Sequence, residues 1–169
     1  MLTPTPLSSA RAFLLDGDGV LYRGAEALPG AQTFIDALNA SGTPYLLLTN
    51  NATRTPQQLA AKMVPMRVAI DADHIFTAAQ ATTLWLQARY PAGAAVLAVG
   101  EDGLRVALGE GGFRLVEDYR QAELVVAGLD RTITYARLAD AALAIGRGCP
   151  FVATNPDKSI PTERGIEPG

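Results

Sequence analysis

Two aspartates stand two apart in FLLDGDGVLYRG, residues 13–24, each followed by a glycine. Ionised carboxylates accept hydrogen bonds and bind hard cations. Asp16 and Asp18 could therefore form an active site at a strand's carboxyl end, with a metal between them. In an extended chain residues i and i+2 point to the same side, which sets the pair about 6.5–7 Å apart at ~3.3 Å per residue. A phosphoryl oxygen or a hydrated metal fits that gap. Gly17 and Gly19 let the backbone bend and a ligand approach closely. Asp-Gly is equally a hairpin signal, so a plain turn competes with the active-site reading. A calcium loop of the EF-hand kind is excluded. Val20 stands where it needs an oxygen ligand, and Ala27 where it needs a glutamate.

A second polar cluster, LLLTNNATR, offers Thr49, Asn50 and Asn51 with Arg54 a turn later. A hydroxyl and an amide donor aimed at one point suit a tetrahedral anion. Such residues also cap helices and fill loops, and taken alone the cluster is read equally well that way. Beside DGDG the anion reading gains. Two carboxylates alone would repel a phosphate, so a divalent cation has to neutralise the site.

Both clusters need elements to place them. AFLLD and PYLLLTN read as buried strands ending at the first and second cluster. Between them GAQTFIDALNASG puts Ala31, Phe34, Ile35 and Leu38 on one helical face, stopped by Gly42. In TRTPQQLAAKM, Thr55 before Pro56 starts a helix and Gln58 completes a capping-box spacing, with Leu59, Ala60 and Met63 inward. RVAIDADHIF reads as a connection. A helix with Ala81, Leu84, Trp85 and Ala88 on one face follows. Then come AAVLAVG (strand), EDGLRVALGEG (helix), FRLVE (short strand), AELVVAGL (strand), TYARLADAALAIGRG (helix) and PFVATN (strand). Continuous apolar strands alternating with amphipathic helices predict α/β architecture with two parallel sheets, the second starting near residue 79. Open α/β sheets build their sites beyond the carboxyl ends of the strands, where both clusters fall.

Composition narrows the chemistry. The 169 residues are 49% hydrophobic and 18% charged, which describes a folded core. Net charge is −3 with no Lys/Arg cluster, arguing against nucleic-acid or acidic-membrane partners. One cysteine, Cys149, excludes an intrachain disulfide and fits a reducing cytoplasm; it reads as a small core hydrophobe. The sole histidine, His74, reads as a surface or loop residue and cannot found a His-rich metal site, so oxygen must hold any metal. MLTPTPLSSAR lacks the pattern of a signal peptide, and no apolar run approaches the ~20 residues that cross a bilayer. A dinucleotide-binding module is disfavoured because GxGxxG is absent after the first strand.

LLDGDGVLYRG, LLLTNNATRT, VVAGLDRTITYARLADA and FVATNPD, in this order across nearly the whole chain, resemble the haloacid dehalogenase superfamily. The likeness is to its aspartate-nucleophile phosphatases related to p-nitrophenyl, phosphoglycolate and pyridoxal phosphatases. The resemblance implies a Rossmann-like parallel-sheet hydrolase core, here incomplete (residues 1–78), with a second α/β cap domain (79–169) that covers the site and selects substrate. Asp16 is implied as the nucleophile that becomes an aspartyl-phosphate, and Asp18 as the group that protonates the leaving oxygen and later activates water. Mg2+ is implied on the Asp16 carboxylate and the Asp18 main-chain carbonyl. Thr49 and Asn50 would hydrogen-bond the transferring phosphoryl group, with Asn51 and Arg54 where relatives contact substrate. The expected partner is a small phosphorylated metabolite, and relatives often pair through this cap, leaving a homodimer open. Met63, Met66, Trp85 and the phenylalanines are expected in the core. Asp130, Arg131 and Asp157 read at least as well as ordinary loop and cap residues.

In that family a third-motif lysine and fourth-motif acidic residues lie after the cap, whereas this sequence ends at Gly169. Lys158 and Glu163 are poor substitutes. The expectation is half a core plus a cap, with an unpaired edge and an uncovered apolar face on the first sheet. The competing functional reading is a non-catalytic relative that binds phosphate weakly or only mediates association.

Overall fold

In the computed structural model, which describes residues 10–162 and 164–168, the AFLLD run forms β1 (Phe13–Asp16) and PYLLLT forms β4 (Tyr45–Thr49). They run parallel in register, Phe13 opposite Tyr45 and Asp16 opposite Leu48. Between them lie a short hairpin, β2 (Tyr22–Arg23) with β3 (Glu26–Ala27), and helix α1 (Ala31–Ser41). Gly42 ends α1 in the left-handed conformation at φ 63°, which glycine adopts without a Cβ penalty. After β4, α2 (Pro56–Met63) starts on the expected capping box. Thr55 Oγ1 accepts the Gln58 N–H at 3.2 Å, and Gln58 Oε1 accepts the Thr55 N–H at 2.9 Å.

RVAIDADHIF holds more than a connection. Its end is β5 (Ile75–Thr77), third strand of the sheet β1-β4-β5. Three residues are too short a run for periodicity to reveal.

The chain divides into two compact units, one up to Thr49 with Leu59–Phe76, the other Asn50–Gln58 with the residues from Thr77 onward. In the first, Leu15, Leu47, Ile35, Leu38, Met63 and Val68 form one core. Full burial of each such side chain contributes ~1.5–3 kcal/mol. The strands are buried on one face only, in line with the uncovered apolar face expected on this sheet: Leu14 is 72% and Leu48 36% exposed. Among the described residues β1 is an edge strand, so the sheet presents there both an open edge and an open apolar face.

The second unit carries a four-stranded, all-parallel sheet in the order β7 (Arg114–Leu115), β6 (Ala95–Val99), β8 (Leu124–Ala127), β9 (Phe151–Ala153). β6 is buried throughout and β8 nearly so, as expected for strands covered on both faces. α3 (Ala78–Gln87) and α4 (Asp102–Glu110) supply one core with Leu86, Leu104 and Leu108. α5 (Tyr135–Gly146) supplies the other with Ala141 and Ala144. Glu117 accepts from Arg105 and Arg137, each at 2.8 Å, and the Arg105 hydrogen bond foremost holds its carboxyl below the ordinary carboxylate range. A hairpin follows β9, β10 (Ser159–Thr162) with β11 (Gly165–Pro168).

Two core assignments need correcting. The inward face of α3 is Ala79, Thr83 and Leu86, while Leu84 and Trp85 face solvent. Small residues face inward because α3 packs closely on the end of α4: a Cβ at Gly111 would collide with the Thr83 methyl. Phe151, on the edge strand β9, is likewise exposed, whereas Met63 and Phe113 are buried and Met66 half-buried as expected.

Candidate active site

Because Asp16 pairs with Leu48, Thr49 is the next residue along the neighbouring strand. Asp16 and Thr49 thus end adjacent parallel strands, at the edge where open α/β sheets place ligands. The ladder stops at Asp16, however, so the pleat does not set the position of Asp18. A turn does. The Gly17 carbonyl accepts the N–H groups of Leu21 at 3.0 Å and Tyr22 at 3.2 Å, and the Gly19 N–H donates to the Tyr22 carbonyl at 2.7 Å. Gly19 sits at φ 83°, a conformation that costs other residues energy. Asp18 is bridged to Tyr22, which ties it back to the start of β2.

Asp16 Oδ1 accepts the Gly17 N–H at 2.7 Å. Both aspartates are exposed, and among the described residues neither forms an ion pair. Uncompensated carboxylate oxygens suit a hard cation. No group of three or more His, Cys, Asp or Glu side chains is assembled for a metal among the described residues. The Asp16 carboxylate and the Asp18 main-chain carbonyl are oxygen donors of the kind Mg2+ takes, since it keeps several waters and commonly binds only one or two carboxylates.

Tyr22 joins the candidate site although the spacing of the aspartates does not point to it. Its buried ring lies against Gly17, where a Cβ would meet the phenol oxygen at 2.9 Å and a ring carbon at 3.2 Å. Lys62 Nζ stands 4.7 Å from the centroid of the same ring. The available signal was a phenol among aliphatic neighbours, three residues beyond Gly19. Gly17→Ala should therefore displace Tyr22 and the turn that carries Asp18. A misplacement near 1 Å lowers rate about 100-fold, so kcat should fall by that order while the protein stays folded. Steady-state kinetics beside a thermal melt checks this. A lowered Tm with unchanged kcat would assign the contact to stability alone.

Asn50, Asn51 and Arg54 belong to the second unit. Asn50 is exposed and Arg54 half-buried. Asn51 is committed to its own turn: Oδ1 accepts from Thr53 N at 2.9 Å, Thr53 Oγ1 at 3.1 Å and Arg54 N at 3.1 Å. Asp130 accepts from the N–H and hydroxyl of Thr132, and Arg131 pairs with Glu101 at 3.0 Å. Asp157 gives its N–H to Asn155 Oδ1. All three behave as loop-forming residues. Lys158 is exposed, and Glu163 lies outside the described residues.

Residues 13–114 match the family of haloacid dehalogenase-like hydrolases. The chain belongs to that family. As a haloacid dehalogenase-like hydrolase it is 42% identical to an acid sugar phosphatase of Staphylococcus aureus over 159 residues, covering 94% of this chain and 61% of the relative. A thermostable NPPase from Geobacillus stearothermophilus, solved as a double mutant, superposes with a TM-score of 0.84 at 40% identity, covering 94% of this chain and 62% of that one. A glycerol phosphate phosphatase from Mycobacterium tuberculosis, solved in complex with magnesium, gives a TM-score of 0.89 at 32% identity, covering 96% of this chain and 49% of that one. The chain therefore spans less than two thirds of the length of these relatives. Among its described residues, no helix is long and apolar enough to cross a membrane.

Proposed function

We propose that the full-length protein hydrolyses phosphomonoesters of small metabolites through a covalent intermediate on Asp16. The observation that carries this reading is the placement of Asp16 at the end of β1 beside Thr49 at the end of β4, with the Gly17 turn bringing Asp18 back. The Asp16 carboxylate attacks phosphorus and the ester oxygen leaves. Asp18 gives that oxygen a proton, then takes one from the water that attacks the aspartyl-phosphate. The Thr49 hydroxyl and the Asn50 amide donate to the phosphoryl oxygens, and Arg54 adds positive charge. The Asp16 carboxylate and the Asp18 carbonyl would hold Mg2+. When bound, the metal offsets the negative charge of the carboxylates and of the phosphoryl group. The names of the relatives, a sugar phosphatase and a glycerol phosphate phosphatase, support a small phosphorylated metabolite as substrate.

The reading extends to a cytoplasmic protein, in keeping with its lone thiol, and to pairing of two copies through the second unit. The exposed Tyr135, Leu138 and Leu143 of α5 support that pairing. Full-length protein should release phosphate from nitrophenyl phosphate and glycerol phosphate with Mg2+ present. The activity should vanish in a chelator and return with excess Mg2+. Undiminished hydrolysis in the chelator would rule out the metal, and no hydrolysis of any phosphomonoester would rule out the function.

A further inference from the structure

The turn that follows β4 is held from several directions, all converging beneath Arg54. Asn51 Oδ1 takes three donors, the last of them the Arg54 N–H itself at 3.1 Å. Ala52 and Thr53 are buried, Ala52 in the same core as Leu104 of α4. The Thr53 carbonyl accepts the Gly103 N–H at 3.0 Å, from the first turn of α4. Gly103 is also a point of close approach. A Cβ there would lie 2.5 Å from the Arg54 carbonyl oxygen and 2.6 Å from its C and N atoms. Glycine inside a helix lowers helix stability relative to alanine. At Gly103 the side-chain-free position is what lets the Arg54 backbone rest on α4.

Arg54, within this turn, is half-buried as a residue, and among the described residues its guanidinium has neither an ion pair nor a side-chain hydrogen bond. A fixed backbone beneath an uncommitted cation is a preorganised anion receptor, because less freedom is lost when the anion arrives. We propose that Asn51 and Gly103 are positioning residues for the phosphatase reaction. They fix the backbone from which Arg54 takes an anionic oxygen of the substrate, either the phosphoryl group or a second anion on the leaving group. Asn51 then acts through Arg54 rather than by touching substrate. The inference rests on the phosphomonoesterase reading above.

The test is a set of double-mutant cycles in the full-length protein with Mg2+, using nitrophenyl phosphate, which has no second anion, and a phosphomonoester that carries a carboxylate. Arg54→Ala should raise KM about tenfold, a loss of ~1.4 kcal/mol. Asn51→Ala and Gly103→Ala should each raise KM about fivefold with kcat nearly kept. Asn51→Ser, whose hydroxyl can close a similar turn, should restore most of the loss. In the Arg54→Ala background none of these changes should raise KM further. An effect on both substrates assigns Arg54 to the phosphoryl group, and one confined to the carboxylate ester assigns it to the second anion. Independent, multiplying effects on KM would overturn the proposal, as would an unchanged KM in Arg54→Ala with both substrates. If Gly103→Ala does not fold, the Asn51 pair of variants decides alone. Absence of turnover in the wild type would instead strike the phosphatase reading. Titration of wild type, Asn51→Ala and Arg54→Ala with inorganic phosphate and with the free carboxylate ester then still decides whether the clamp serves anion binding. Equal affinities in all three would sink it.

Discussion

Asp16→Asn in the full-length protein is expected to lower kcat on nitrophenyl phosphate by roughly a million-fold, the order found when a covalent nucleophile is removed. Asp16 ends β1, where its carboxylate is exposed and, among the described residues, unpaired, with one oxygen already accepting the Gly17 N–H at 2.7 Å. Asparagine can keep that contact but offers no anionic oxygen for phosphorus. The loss should be chemical rather than structural, because an exposed strand terminus tolerates an isosteric amide and the Tm should hold. Acid quenching with labelled substrate separates the possibilities. Wild type should retain label that hydroxylamine releases, and the variant should retain none. Equal labelling of the variant would move the nucleophile elsewhere.

Asp18→Asn should give the second largest loss, and its size should depend on the leaving group. General acid catalysis contributes roughly 100- to 10,000-fold. The full loss should fall on an alkyl phosphate such as glycerol phosphate, whose alkoxide needs a proton to depart. Nitrophenolate leaves without help, so single-turnover phosphorylation by nitrophenyl phosphate should fall much less. Breakdown of the phosphoenzyme should slow for both, since the same carboxylate activates water. Equal slowing of phosphorylation with the two substrates would remove Asp18 from the acid role.

What the sequence made legible was local and repetitive. The long apolar runs at Ala95–Val99 and Leu124–Ala127, the one-faced helix at Ala31–Ser41 and the capping box at Thr55 each carry their signal within a few residues. DGDG and TNN were likewise visible as polar endings of apolar runs. Long-range contacts were less legible. Leu84 and Trp85 look like the inward face of α3 on hydrophobicity, but the close approach of Thr83 to Gly111 selects small residues there instead. The β10–β11 hairpin contains Pro161 and Pro168, residues that argue against strand and are tolerated at unpaired edges. At the site, extended geometry suggested that a strand's pleat spaces the aspartates. The spacing is set by the Gly17 carbonyl and by Tyr22, a contact no periodicity encodes. Asn51 shows the same limit, since its residue type suits a phosphate ligand and a turn equally and only the three short bonds to Oδ1 reveal the turn.

The outward placement of Trp85 gives the protein an optical asymmetry. It is the only tryptophan in the sequence, it lies on α3 of the second unit at 45% exposure, and the Arg89 guanidinium sits 3.8 Å over its ring. Indole emission therefore starts from a solvated, cation-stacked fluorophore, so its spectrum reports loss of the Arg89 stack more than transfer from an apolar interior. Far-ultraviolet dichroism, by contrast, registers the helices of both units. A fluorescence denaturation curve for this chain reads first the loss of α3 in the second unit, so it has to be set beside the dichroism signal before it speaks for the strands that carry Asp16 and Thr49.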